Sequence, residues 1–325
     1  LMKNFIPIDF HCHGIGKFDF AEPSRLMLDQ LKHSLRIEGI YSILTLYLPR
    51  RQLRDFENFV SDFGIGRKNG RYTNILGIAL EGPVLASSGG TPEKGCWHPT
   101  KKEWSRIASL GHFGLVYVVI SPDAEFPQGQ EYPSTVLWIV DELMKNGVKP
   151  ALGHFKKDNP SQSATAIVTV CEYVKSLRKG FIYTDHLFND MPLNFKHSWR
   201  TNEEKNHRRE DLKSILSTNW DESNMHEVLG AVPSELIRYA KEGVLRICMN
   251  FDGEHVAIEI CKKAITLIGA DKIILMTDRI QSSVLGGQKL HRVADNSLLY
   301  QASGTVAGGT QPVMRQIGNM LSAEF

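Results

Sequence analysis

Eight short apolar runs, each rich in β-branched or aromatic residues and most followed by a stretch of helical spacing, constrain this chain more than any other feature. They fall at 5–10, 40–47, 75–80, 114–120, 149–153, 180–185, 244–250 and 272–277. Such runs read as strands covered on both faces, the condition of a parallel sheet. Helical periodicity between them, at 24–37, 100–110, 134–146, 161–177, 233–241 and 255–268, supplies the crossovers that parallel strands need. The pattern predicts an α/β protein built as a (β/α)8 TIM barrel. A doubly wound open sheet is the rival. It lacks its Gly-x-Gly-x-x-Gly turn after the first run, where Gly14-Ile15-Gly16 is only a fragment of one.

Composition narrows the partners. With 325 residues, 42% of them hydrophobic, the chain is long enough for one large core, so 1–325 is read as a single barrel domain. A polar, charged stretch at about 193–226 reads as an insertion or lid on it. The net charge of +2 gives no electrostatic reason to expect nucleic acid or an anionic membrane as partner. Cys12, Cys96, Cys171, Cys248 and Cys261 are widely spaced and odd in number, which reads as reduced thiols in a cytoplasmic protein. The aromatics around Phe56 and Phe59, with Trp104 and Trp138, fall at helical spacing and are assigned to the core. Ser87 to Gly90 and Gly286-Gly287 are read as mobile loops.

The chemistry gathers where the runs end. His11 and His13 stand two residues apart at the tip of the first run, so in extended backbone they share a face. Glu81, His154, His186 and Asp278 close four of the later runs. In a barrel these positions converge at the C-terminal rim, where active sites are built. Imidazoles and carboxylates delivered together suit a divalent cation. Each has a bland alternative: Asp278 as a helix N-cap, and His255 as a helix-start residue. The histidines at 33, 112, 197, 207, 226 and 291 have no such partner and are read as surface or core.

Taken in order, several blocks carry a resemblance: Asp9-Phe10-His11-Cys12-His13-Gly14, Glu81-Gly82-Pro83, Lys94-Gly95 with His98-Pro99, Gly153-His154, His186-Leu187-Phe188-Asn189-Asp190-Met191-Pro192, Asp252-Gly253-Glu254-His255, Thr277-Asp278 and Ala307-Gly308-Gly309-Thr310. The chain resembles the amidohydrolase superfamily, and within it the N-acetylglucosamine-6-phosphate deacetylases. The resemblance implies a hydrolase of an amide bond in a small polar substrate. An N-acetylated amino sugar or its phosphate is the first expectation. Deamination, cyclic-amide opening or N-acyl amino acid deacylation is the alternative, and a non-catalytic binding barrel the rival from another class. It implies one or two divalent metal ions, zinc first and iron or another divalent ion second. Glu81, His154 and His186 would be the principal ligands, and His11 and His13 would serve a second ion, with Asp278 at the same centre. Asp278 is implied as the proton shuttle and His255 as a catalytic and substrate contact. His98, Asn189 and Arg279 are the remaining substrate-binding candidates. A homodimer is expected from the family alone.

Three departures accompany the resemblance. Set against the resemblance, the accessory β-sandwich that relatives assemble from both termini is expected to be missing or vestigial. The 193–226 stretch, with Lys-Asn-His-Arg-Arg-Glu-Asp from Lys205 to Asp211, replaces a shorter loop carrying a phosphate-binding arginine. Arg200, Arg208 and Arg209 are the candidates to replace that arginine, guanidinium being well matched to phosphate. Finally, Arg279 stands beside Asp278 where relatives have a small residue.

Overall fold

A computed structural model describes residues 5–195 and 198–322. His197 therefore lies outside the described residues. Eight parallel strands follow one another in chain order around a barrel: Ile8–Cys12, Tyr41–Leu46, Ile75–Glu81, Leu115–Ile120, Lys149–Leu152, Ile182–His186, Leu245–Met249 and Ile273–Leu275. All eight coincide with the predicted runs. The first lies later than read, so His11 sits within the strand rather than beyond its tip. The circle closes between the eighth strand's extension and the first strand. The backbone N–H of Asp278 donates to the His11 carbonyl at 3.0 Å, and that of His13 to the Arg279 carbonyl at 2.8 Å. The buried Thr277 hydroxyl donates to the Asp9 carboxylate at 2.8 Å and latches the same seam.

The helices form where local chemistry permits. Ser24 accepts from Met27 N–H to start Arg25–Glu38, Thr100 and Glu103 make a capping box before Lys101–Ser109, and Pro160 occupies the first turn of Pro160–Leu177. Their apolar faces pack on the outside of the strands, where Trp104, Phe56 and Phe59 are buried as predicted. Inside the barrel lies a separate layer. Phe10 stacks on Tyr117 with ring centres 5.2 Å apart, and Tyr183 meets both edge-on at 5.1 and 5.9 Å. With Ile43, Ala79, Val119 and Ala151 these rings plug the lumen beneath the C-terminal rim.

The 193–226 stretch contains the helix Asn202–Ser217, which packs against Ile258–Ile268 in the outer layer. Its N-terminal approach brings Arg200 and Glu204 to the mouth of the barrel. The extra strands among the described residues form two-stranded hairpins at 14–19, 284–289 and 298–309. No helix among the described residues is long and apolar enough to cross a membrane.

Candidate metal centre

His11, His13, Glu81, His154, His186 and Asp278 meet at the C-terminal rim, all at most 4% exposed. The meeting is tight. Glu81 stands between two groups of histidines: its Oε2 is 3.0 Å from His11 Nε2 and 3.1 Å from His13 Nε2, while its Oε1 is 3.1 Å from His154 Nε2. Asp278 Oδ1 is 3.2 Å from His13 Nε2. Asp185, absent from the sequence reading, lies among them with Oδ2 3.3 Å from His154 Nε2 and 3.2 Å from His186 Nε2.

The orientation of the rings decides what this centre suits. Each of the four imidazoles spends Nδ1 on an outer partner. His11 meets the Tyr117 hydroxyl at 3.0 Å, His13 the Thr45 carbonyl at 3.1 Å, His154 the Ser87 carbonyl at 3.0 Å and His186 the Asn189 carbonyl at 3.2 Å. A carbonyl can only accept, so Nδ1 carries the proton in His13, His154 and His186, and Nε2 turns its lone pair inward. For His11, Tyr117 can take the Nδ1 proton because its own O–H has the Phe10 carbonyl as acceptor at 3.2 Å. Inward-facing lone pairs of His11 and His13 would then stand 3.1 Å apart among carboxylates. A cation or extra protons must lie between them.

Without a cation, protons take that place. Burial disfavours a charged His13, but Glu81 and Asp278 outweigh it and push its pKa up to about 10. Burial likewise opposes charge on Glu81, yet His13 and His154 hold its carboxyl well below the usual range. Donors about 2.0–2.1 Å from zinc at the corners of a tetrahedron stand roughly 3.3–3.4 Å apart. The close contacts here run from 3.0 to 3.3 Å, near enough that a small expansion would seat such an ion. Outer partners that fix each ring's tautomer are the usual support of a metal-binding histidine. The residues present fit divalent metal.

His255 stands beside this centre, fully buried, with Nδ1 held by Asp252 at 2.5 Å and Nε2 3.5 Å from Asp278 Oδ2. Burial disfavours its charged form, but Asp252 and Asp278 outweigh that and raise its pKa. Above lies a cavity of about 360 Å³ whose floor includes Glu81, His154, His186 and Asp278, with Asn189 on its wall. Lys157 and Arg200 stand in the lining as well, each already paired: Lys157 with Asp190 at 2.6 Å, Arg200 with Glu204 at 2.8 Å.

Not every candidate gathers here. Arg279 turns away from the cavity: its Nη1 pairs with Glu38 at 2.9 Å and its Nε donates to Gln281 at 2.9 Å, so its expected substrate contact is corrected to a buried structural pair. Asp278 has a φ of 51°, and this left-handed turn sends the next side chain outward. His98 packs edge-on to Phe126 and is outside the described cavity lining. Arg208 is buried over Trp199 and donates to the Gly253 carbonyl at 2.8 Å, while Arg209 is exposed. Arg200 alone of the three arginines reaches the cavity.

The sequence reading missed a support layer. The Thr91 hydroxyl donates to Glu81 Oε1 at 2.6 Å. Ser87 to Gly90, read as a mobile loop, instead packs on the centre. Its Ser87 carbonyl orients His154, and at Gly89, with φ of 53°, an added Cβ would stand 2.5 Å from Asp190 Oδ2. Asp190 Oδ2 flanks His154 Nδ1 at 2.8 Å. The one available signal was the proximity of Asp185 and Asp190 to His186 in the chain.

No protein-family profile matches this chain, and no curated protein matches its sequence. Solved structures do. N-acetyl-D-glucosamine-6-phosphate deacetylase from Mycobacterium smegmatis, in complex with N-acetyl-D-glucosamine-6-phosphate, aligns with a TM-score of 0.65 at 20% identity over 97% of this chain and 71% of that one. A second structure of that enzyme gives 0.60 at 20% identity over 97% and 71%. The N-acetylglucosamine-6-phosphate deacetylase of Thermotoga maritima gives 0.59 at 18% identity over 98% and 72%. The fold is thus the (β/α)8 barrel of these deacetylases.

Proposed function

We propose that this protein is a metal-dependent amide hydrolase that deacetylates an N-acetylated amino sugar, N-acetylglucosamine-6-phosphate being the leading substrate. The observation that carries the reading is the convergence of four inward-facing Nε2 atoms with Glu81 and Asp278 on the floor of one cavity. His11, His13, Glu81, His154, His186 and Asp278 would hold one or two divalent ions. A bound ion would supply Lewis-acid polarisation of the acyl oxygen and a lowered pKa for water.

The chain's own groups supply the rest. Burial opposes ionisation of Asp278, but His13 and His186 overcome it and keep it a carboxylate, the form in which it would take a proton from water. Asp252 and Asp278 raise the pKa of His255 against its burial and so favour the protonated ring, whose Nε2 would donate to an oxygen that gains negative charge. A cavity of about 360 Å³ is near the small end of ligand sites and suits one sugar ring. Lys157 and Arg200 are the cations available to a phosphate, which would compete with Asp190 and Glu204 for them.

The test is acetate release from N-acetylglucosamine-6-phosphate and from N-acetylglucosamine, using protein of known zinc content. Release from the phosphorylated sugar supports the full reading, and release from the plain sugar alone supports deacetylation without phosphate recognition. Zinc-loaded protein that releases acetate from neither sinks the amino-sugar assignment and leaves the cation site standing.

A further inference from the structure

Asp185 occupies a position that ordinary strand geometry would deny it. Neighbouring residues of a strand point to opposite faces, and His186 faces the centre. Between Tyr183 and His186, however, the pairing with the seventh strand slips register. Such irregularities re-aim side chains near active sites. Here Asp185 and His186 both reach the centre, with Asp185 Oδ2 3.2 Å from His186 Nε2. Gly153 on the adjoining loop makes the room: a Cβ there would stand 2.4 Å from Asp185 Cβ.

The carboxylate that results is buried at 2% exposure; neither oxygen makes a hydrogen bond, and His11 Nδ1 stands off at 3.4 Å from Oδ1. The facing His154 Nε2, 3.1 Å from Glu81 and 3.3 Å from Asp185, makes no hydrogen bond either. A buried carboxylate with every acceptor unfilled is costly unless a charge sits against it. Ligand atoms of Glu81, His154 and His186 lie with it within 4.8 Å of one another, while His11, His13 and Asp278 form a second such group.

Resting on the reading of this centre as a cation site, we infer that Asp185 is itself a metal ligand, the fourth protein donor to the ion held by Glu81, His154 and His186. The set becomes two imidazoles and two carboxylates. The whole centre would then offer a bound cation three carboxylates, Glu81, Asp185 and Asp278, rather than two. The added charge favours retention of the ion in the His154 and His186 position.

The test is zinc binding by Asp185→Asn, measured by elemental analysis after dialysis and by competition with a chromophoric chelator. Loss of an outer partner of a metal ligand already weakens binding about 10–100-fold, so loss of a direct ligand should weaken one zinc by at least that much. The variant is expected to retain less zinc per chain than the wild type. Unchanged zinc content and affinity in Asp185→Asn overturns the inference. His186→Ala separates the two readings: if it loses zinc while Asp185→Asn does not, the cation site stands and Asp185 is not a ligand. If neither variant changes zinc binding, both readings fail. A crystal structure of the zinc-loaded wild type needs no variant. An Asp185 oxygen within about 2.2 Å of zinc supports the assignment, and zinc bound by His154 and His186 with Asp185 beyond that distance overturns it.

Discussion

Asp190 offers the sharpest test of how the centre is tuned from outside. Its Oδ2 flanks His154 Nδ1 at 2.8 Å and its Oδ1 meets Lys157 at 2.6 Å. Burial resists its ionisation, but His154 and Lys157 hold its carboxyl well below the usual range, so it is a carboxylate at neutral pH. A negative charge behind a ligating imidazole raises the ring's basicity toward a cation, and removing such a partner costs about 10–100-fold in metal affinity. Asp190→Asn is the clean perturbation. The residue has a φ of 45°, a conformation that asparagine tolerates as well as aspartate, so shape and backbone are kept while the charge goes. Because the Ser87 carbonyl still accepts from His154 Nδ1 at 3.0 Å, the tautomer stays fixed and only the electrostatic part is lost. The expected effect is therefore the lower end, about tenfold or ~1.4 kcal/mol. The orphaned Lys157 adds little, since its side chain is 54% exposed. Competition against a chromophoric chelator reads the zinc affinity directly. Affinity within a factor of about two of the wild type would refute the reasoning and leave Asp190 as an anchor for Lys157 and the Ser87 loop.

Further outcomes follow from the same geometry. Asp278→Asn should retain at least one zinc and lose turnover by roughly 10²–10⁴-fold, the range for a positioned acid–base group, and near-wild-type acetate release would show that the proton moves elsewhere. Glu38→Ala leaves the Arg279 guanidinium, 7% exposed, without its carboxylate partner and with only Gln281 as acceptor. Breaking a buried pair costs about 3–5 kcal/mol, and with Glu38 itself 30% exposed the expectation is about 1–3 kcal/mol by denaturant unfolding, with KM unchanged. An altered KM without a stability loss would restore Arg279 to the substrate. In metal-free protein the carboxylates overcome burial and raise the His13 pKa from 6.5 to about 10. A raised histidine stabilises the fold fully below its unfolded pKa and ceases to do so as pH rises through the folded value. The chelated protein should thus lose Tm between pH 6.5 and 10 relative to the zinc-loaded form, and parallel Tm profiles for the two would argue against proton occupancy of the centre.

What the sequence disclosed, and what it hid, divides along a physical line. Strands buried on both faces must be apolar throughout, so Ile75–Glu81 and Leu115–Ile120 announce themselves as runs whatever their neighbours do. Ligand positions such as Glu81 and His154 follow from those runs because the fold directs function to strand ends. Burial of Phe56 and Trp104 follows from helical spacing in the same way. The misreadings all arise where the backbone departs from its regular period. Asp185 escaped because alternation puts it opposite His186, and only the register slip before His186 turns both inward. Arg279 was drawn toward the substrate by its proximity to Asp278 in the chain, but the left-handed turn at Asp278 carries it to Glu38, near the far end of the first helix. The Ser87 loop looked mobile because glycine and serine give no sign of what they pack against, here Asp190 and the ring of His154. These irregular points also bring Asp185 and the Ser87 carbonyl to His154. A sequence pattern can therefore locate this centre, while its charge and the number of its ligands depend on local backbone geometry that no period encodes.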